Sequence, residues 1–549
     1  MLKRNVRVLV LVASILILVA VTAVTQTQQQ NTLLGAQLAS KEQIEQITQI
    51  GAASDQDCEL YWNDVRLPYN AQMEAYCLPQ TLTDTSTGSL SAQWGNLYLP
   101  DWEWQSDWSE KMENGTTMPV YVSDGSQWKK IQVYVSGMPV IAIDSQVRVS
   151  TPRDMTVYGY TMGKLPVENN YGSIRVFWPD GDIRRQVITT GVEWHWRGNA
   201  SYFADKKSYR INLMDSDGNA DRKDLLGLGE NSDWILLNLA TDVTRVKDKV
   251  SNDLWNQLSD QYDYDMPGAE TEFVELYLND QYMGVYLLCS PVEKRSLNLT
   301  NKDKLYKLRQ AAWLTDEEFD KLTSDESLEW LNKFEVVYPK RWSEGVWDPL
   351  VNYLKLLYQP QESPTWEQIE QTVQIDNLLD VALFKQFTCA IDNVFQNQYV
   401  AYLAEDGLCY RVPWDMNYTW GDAYEGVMEQ DLSTYIIKDY ELDTLCQADL
   451  QQAQTRIAER WQQLRQTVFD VDKVLDAMQQ QTDYLIESGA MKRDFALWGE
   501  KGGYASGLSD YQTLNLEQVE KLLKKRTAYL DQYMQKYTPL QEETSGEVS

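Results

Sequence analysis

Apolar and polar residues alternate through much of the first half of the chain, and apolar residues recur every three or four positions through most of the second. Between 55 and 150 the alternating runs are short: Val-Tyr-Val-Ser at 120–123, Lys-Ile-Gln-Val-Tyr-Val at 130–135 and Val-Ile-Ala-Ile at 140–143. Turn residues separate them, which predicts a small β-rich module. From 151 to 290 the pattern stays β-rich, with a hairpin formed by 172–178 and 183–189 about Pro179-Asp180-Gly181-Asp182. Strands are expected over 191–196, 206–213 and 234–239, and a second hairpin, 273–278 with 282–288, about Asn279-Asp280. One helix, over 243–258, interrupts this sheet. After Pro291 the spacing predicts helices over 348–358, 365–373, 377–390, 447–469, 471–485 and 516–537, with short helical pieces over 305–308, 316–322 and 327–331. Residues 494–511, rich in Gly and aromatics, read as a loop.

The expected fold class is therefore α+β, with a sheet-built lobe at 151–290 followed by a helical lobe at 291–537. An N-terminal segment (1–30), a Gln- and Thr-rich spacer (31–54, with a helix over 41–50) and the β module (55–150) precede them; an acidic tail (538–549) follows. The N-terminal segment is Met-Leu-Lys-Arg-Asn-Val-Arg and then an uncharged run from Val8 to Val24. Basic residues before such a run read as an export signal or a single membrane anchor, with the rest of the chain extracytoplasmic. The six cysteines form no Cys-x-x-Cys pair, which argues against structural zinc. Cys58 and Cys77 are a candidate disulfide closing a short loop, while Cys389 and Cys409 either pair or are plain core residues.

Charge narrows the chemistry. The chain has 49 basic and 81 acidic side chains, a formal charge of −32. A nucleic-acid partner is thereby disfavoured, since binding a phosphate backbone needs a basic surface. A Lys/Arg-rich protein substrate suits the acidic surface better. The single histidine, His195, lies between two tryptophans and reads as a packed strand residue. One imidazole with no second His excludes a typical catalytic zinc site, and hydrolases with a His base have no other candidate.

The residues that carry chemistry lie late in the chain. Asp392 and Asn397 stand five apart in Ala-Ile-Asp-Asn-Val-Phe-Gln-Asn-Gln-Tyr, and Asp415 follows in Val-Pro-Trp-Asp-Met-Asn. Between them, 398–403 and 408–412 read as two short strands with Glu405-Asp406-Gly407 as the turn. A hairpin there returns Asp415 beside Asn397. Protein kinases use this spacing: an Asp orients the attacking hydroxyl, an Asn and a later Asp hold the metal ion. Phosphoryl transfer asks for carboxylates, divalent ions and a cation on the nucleotide, and none of these is His.

Five blocks in order also resemble a known family. Trp196-Arg197-Gly198-Asn199-Ala200-Ser201 and Lys206-Lys207-Ser208-Tyr209-Arg210 come first, then Asp233-Trp234-Ile235-Leu236-Leu237-Asn238 leading to Asp242. The hairpin from Phe273 to Leu288 and Pro413-Trp414-Asp415-Met416-Asn417 complete the set. Together, over about 136–430, they resemble the spore coat protein H (CotH) kinase family. The resemblance implies an atypical bilobal protein kinase, using ATP with Mg²⁺ or Mn²⁺ to phosphorylate Ser or Thr of extracytoplasmic or spore-coat-type proteins. It implies Asp392 as the catalytic residue, Asn397 and Asp415 as metal ligands, and Lys206 or Lys207 on the nucleotide phosphates. Strand alternation favours Lys207, on the face of Tyr209, Ile211 and Leu213. Arg197 and Asn199 lie in a loop where Gly198 allows close approach of backbone to phosphate. The sequence departs from the family at Asn417 (an acid in the motif), at Ser290-Pro291, which leaves Glu293 as the nearby acid, and at Lys247. Those departures keep open a catalytically silent surface or coat scaffold. A carbohydrate-active or glycan-binding protein, suggested by 20 Trp and 33 Tyr, is the third reading, and no carboxylate pair stands out for it.

Overall fold

The computed structural model describes residues 32–83, 88–105, 107–157, 160–178, 187–198, 204–240, 242–262, 264–309, 317, 333–358, 360, 362–394, 396–422, 431–499 and 516–539. Among them no helix is long and apolar enough to cross a membrane; the apolar run at 8–24 lies outside them.

The N-terminal module is an eight-stranded sheet in which Ala36–Ala39 runs parallel to Asn96–Pro100, and Met118–Ser123 forms a hairpin with Gln127–Ser136. Helix Lys41–Ile50 carries a capping box on Ser40, as S-x-x-Q predicts. Trp104 is buried in the module's core, donates Nε1–H to Pro119 O (2.9 Å) and meets Trp108 edge to face. Its cluster is therefore mostly packing; Trp102 alone of the four (94, 102, 104, 108) is largely exposed. Cys58 and Cys77 are buried free thiols, as are the other four cysteines, so the expected disulfide is absent.

Seven of the strands that follow close on themselves, and Lys223–Asp224 with Glu230–Asn231 form a separate short pair. The seven are β1 (Val140–Val157), β2 (Tyr160–Phe177), β3 (Val187–Arg197), β4 (Ser208–Met214), β5 (Asp233–Leu237), β6 (Thr271–Leu278) and β7 (Gln281–Cys289). Helix α1 (Lys247–Gln261) lies between β5 and β6. The order is β1-β2-β3-β4-β5-β7-β6, and parallel pairing of Val140–Ile143 with Glu275–Leu278 completes a barrel. The sheet expected here is thus a closed one. Period-two alternation gives the closed sheet two distinct faces. Ile141, Ile143, Ile174, Val176, Val192, Ile211, Leu213, Leu236, Val274 and Leu276 share one core cluster. The alternate positions face two neighbours: Val140, Ala142, Phe177 and Tyr277 join the N-terminal module's core, whereas Ile235, Phe273, Val285 and Leu287 join that of the helical half.

The helical half also holds a four-stranded sheet: β8 (Lys304–Leu308), β9 (Phe334–Tyr338), β10 (Gln398–Leu403) and β11 (Leu408–Pro413), in the order β9-β8-β10-β11. The helices are α2 (Asp348–Leu357), the short Trp366–Glu370, α3 (Ile375–Thr388), α4 (Tyr440–Ala448), α5 (Leu450–Arg465), α6 (Val471–Glu487), α7 (Ala490–Trp498) and α8 (Glu517–Tyr533). Three expectations change. Residues 305–308 form a strand, because β9 and β10 pair with them on both edges. The helix read over 447–469 is two helices, split where Asp449 accepts from Gln452 N–H and caps α5. The loop read at 494 is helix α7, entered through left-handed Gly489 (φ 71°). The pieces read over 316–322 and 327–331 lie outside the described residues, Glu317 apart.

Helix α3 is central: every residue except Asp376 is buried. Such a helix carries polar residues only if they are satisfied. Asp380 meets Arg460 (2.5 Å), Lys385 meets Asp439 (2.6 Å), and Asn377 donates to Arg411 O (3.1 Å).

Candidate functional site

Helix α3 ends at Cys389 in the left-handed conformation (φ 57°). The turn directs the chain past Asp392 to Asn397, which immediately precedes β10. In the β10–β11 ladder Gln398 lies opposite Pro413, so Asn397 faces Trp414 and its carbonyl accepts Trp414 N–H (2.9 Å). Asp415 is the next residue. Both Asn397 (φ 58°) and Asp415 (φ 59°) are left-handed, a conformation that Asn and Asp tolerate better than other side chains and that clusters at functional sites. The hairpin thus brings residues 397 and 415 together. Asp392 joins them by accepting from Asn397 Nδ2 (2.8 Å) and Gln396 Nε2 (2.6 Å).

Burial, and then the charge of Asp415, push the Asp392 carboxyl up to about 6. The folded chain accordingly loses stability at this carboxyl as pH rises from about 4, the ordinary carboxylate value, to about 6. Carboxyl ¹³C titration of the metal-free protein is expected to place Asp392 near 6, and Asp415→Asn to lower it. An unmoved titration in that variant would show that the two groups do not interact.

The cations divide into two groups. Lys206 is fully buried and tied to Val285 O (2.6 Å) and Asp494 Oδ1 (2.7 Å); Asp494 also holds Arg245. Lys207 lies over the ring of Trp196 (5.0 Å). Strand β4 begins only at Ser208, so the alternation that distinguished the two lysines does not extend to either. Arg197 is half-buried, and its guanidinium is lowered by burial and held up by Asp415. Asn199 lies outside the described residues. Lys307, on β8 opposite Tyr399, was not singled out in the sequence because its segment read as helix. Its ammonium sits over Tyr399 (5.4 Å) and Trp414 (5.2 Å), and burial with Arg197 and Arg309 nearby pushes it down to about 7. Arg197 and Lys307 both sense Asp415.

Two further residues were legible only in three dimensions. Asn393 Nδ2 donates to both Asn397 O and Trp414 O (2.9 Å each), pinning the loop to the exit of β11. Asp248, on the first turn of α1, lies near Asp415 and the Met416 amide. Glu293 accepts from Asn231 Nδ2 (2.9 Å), and the carboxylate on Lys206 is Asp494 instead. Lys247 pairs with Asp422 (2.5 Å). His195 is buried within β3.

A model of the CotH kinase protein family matches residues 195–530, more than half of the sequence. The chain belongs to the CotH kinase family. No curated protein matches it. The matched span starts in β3 and ends in α8, so every residue named at this site falls inside the CotH kinase region.

CotH kinase family membership brings in a divalent ion generally, and the residues can be tested for it. Among the described residues no group of three or more His, Cys, Asp or Glu is gathered to hold a metal. The donors at hand are instead mixed. Asp415 supplies a carboxylate and Asn397 an amide oxygen, while the buried Oδ1 atoms of Asn417 and Asp248 have no hydrogen-bond partner among the described residues. Unpartnered buried oxygens of this kind suit a hard, oxygen-liganded cation such as Mg²⁺ or Mn²⁺.

Proposed function

We propose that the chain is an extracytoplasmic protein kinase that transfers the γ-phosphoryl group of ATP to Ser or Thr hydroxyls. The observation that carries this reading is the convergence of Asp392, Asn397 and Asp415 at the two ends of one hairpin. In this reading the barrel half and the helical half act as the two lobes of a kinase-like fold. Asp392 orients the substrate hydroxyl and accepts its proton. Asn397 and Asp415 would hold the divalent ion, which neutralises phosphate charge when bound. Arg197 and Lys307 are the cations placed to meet phosphate oxygens, since Lys206 is committed to Asp494. The formal charge of −32 favours Lys/Arg-rich protein substrates through long-range attraction that weakens with salt. The apolar run 8–24 is the means of export or anchoring.

The test is transfer of label from γ-labelled ATP, with Mg²⁺ or Mn²⁺, to a basic Ser-rich protein. Label on Ser or Thr that disappears in Asp392→Ala and Asp415→Ala supports the kinase. Metal-dependent ATP binding without transfer, or neither, supports the silent scaffold that Asn417 suggests.

A further inference from the structure

We propose that Asp248 supplies the second carboxylate of the cation site beside Asp415, in place of the one that Asn417 lacks; this rests on the kinase reading above. Asp248 is the second residue of α1 and only 4% exposed. Its carboxylate lies by Asp415 and the Met416 amide, on the loop that Trp420 Nε1 fastens to α1 through Ser251 Oγ (2.8 Å), and its Oδ1 has no hydrogen-bond partner among the described residues. One residue beyond Met416, Asn417 Oδ1 is likewise buried and unpartnered. The same short loop therefore carries Asp415 and Asn417 on either side of Met416.

The charges around Asp248 point the same way. Those bearing on it from the elements packed against it are Asp415 and Asp422 on the loop after β11, and Asp242 before α1. All are acidic. The adjacent lysine, Lys247, is engaged by Asp422 (2.5 Å). A buried carboxylate with an unused oxygen beside other carboxylates is costly unless a cation joins it.

Helix capping does not account for the residue. The N-terminus of α1 is already capped by Asp242, whose Oδ2 accepts Lys247 N–H (2.8 Å) and whose Oδ1 accepts Thr244 N–H (2.8 Å). The dipole of α1 favours a negative charge in its first turn, but it provides no partner for Oδ1. The resulting ligand set is two carboxylates, Asp248 and Asp415, with amide oxygens from Asn397 and Asn417. It carries the charge suited to a divalent ion with phosphate oxygens and water completing the shell.

The experiment measures Mn²⁺ binding to the full chain by electron paramagnetic resonance, with a non-hydrolysable ATP analogue present. Unaltered protein, Asp248→Asn and the double variant Asp248→Asn/Asn417→Asp are compared, and circular dichroism verifies folding of each. Asp248→Asn is expected to weaken Mn²⁺ binding at least tenfold, roughly the effect of one carboxylate ligand, and to abolish most of the Mn²⁺-induced rise in Tm. The double variant, which moves the charge to position 417, is expected to regain most of the affinity. Undiminished binding by Asp248→Asn overturns the assignment. So does a loss that Asn417→Asp fails to recover, because Asp248 would then act only on the fold. If the unaltered chain binds no Mn²⁺ with the analogue, the kinase reading falls together with this one.

Discussion

Asp392→Asn is expected to lower kcat by about 10²–10⁴, the range for loss of a positioned general base, while the affinity for ATP stays within about threefold. That range corresponds to about 3–5 kcal/mol of barrel-independent, purely chemical barrier. Two structural facts separate the effects. Among the described residues, the Asp392 carboxylate hydrogen-bonds only with side chains of its own loop, Gln396 and Asn397. The loop itself is pinned by Asn393 to the carbonyls of Asn397 and Trp414, and by Asn397 N–H to Leu308 O (3.1 Å). An amide at 392 keeps one acceptor for Asn397 and leaves these clamps untouched, so nucleotide and metal find the same surface. Single-turnover transfer alongside equilibrium ATP binding distinguishes the two quantities. A variant that retains half the wild-type rate would remove Asp392 from the chemistry. Parallel losses of affinity and rate would place it among the ligands instead.

How much of this site was legible depends on how local its determinants are. The β10–β11 hairpin could be read because its strands alternate and Glu405-Asp406-Gly407 closes them, with Gly407 at φ 77° where an L side chain is disfavoured. That one hairpin fixes the positions of both Asn397 and Asp415. The hairpin about Asn279-Asp280 was legible for the same reason: both turn residues take positive φ, as Asn and Asp permit. Closure of the barrel was not legible, since Val140 meets Glu275 across a separation no local pattern records. Lys307 was hidden because Leu-Tyr-Lys-Leu is too short to show its period, and only its neighbours make it a strand. Asp494 was hidden because a charged residue near glycines and aromatics reads as loop. Its partner Lys206 lies 288 positions away.

Asp494→Ala is expected to cost about 3–5 kcal/mol of stability, the usual penalty for breaking a buried ion pair from one side. Asp494 serves two cations, Lys206 (2.7 Å) and Arg245 (2.9 Å), and all three side chains are almost wholly excluded from water. It also accepts Val285 N–H (2.9 Å). Burial, only partly offset by Asp494, already pushes Lys206 down to about 8. Without the carboxylate Lys206 falls further and sheds its proton near neutrality, which limits its share of the loss. Arg245 has no such escape, because guanidinium stays protonated. The sign of the pH dependence follows. The unfolded lysine keeps its proton to about 10.4, so between the folded and unfolded values the unfolded state binds more protons and stability rises with pH. The variant's deficit should therefore shrink between pH 7 and pH 9.5 in urea titrations. Helix α7 is expected to be the element released first. It touches the barrel through Asp494, through Arg493, which pairs with Glu275 of β6 (2.8 Å), and through Trp498 Nε1, which donates to Met283 O (2.8 Å) beside Gly284. A Cβ at Gly284 would lie 2.3 Å from Asp494 Oδ1, so the close approach of barrel and helix at this carboxylate needs a glycine. Hydrogen exchange should show amides of 490–498 losing protection before those of β4 or β7. Equal protection throughout, or a deficit independent of pH, would mean that the buried charges are not what fastens the helix to the barrel.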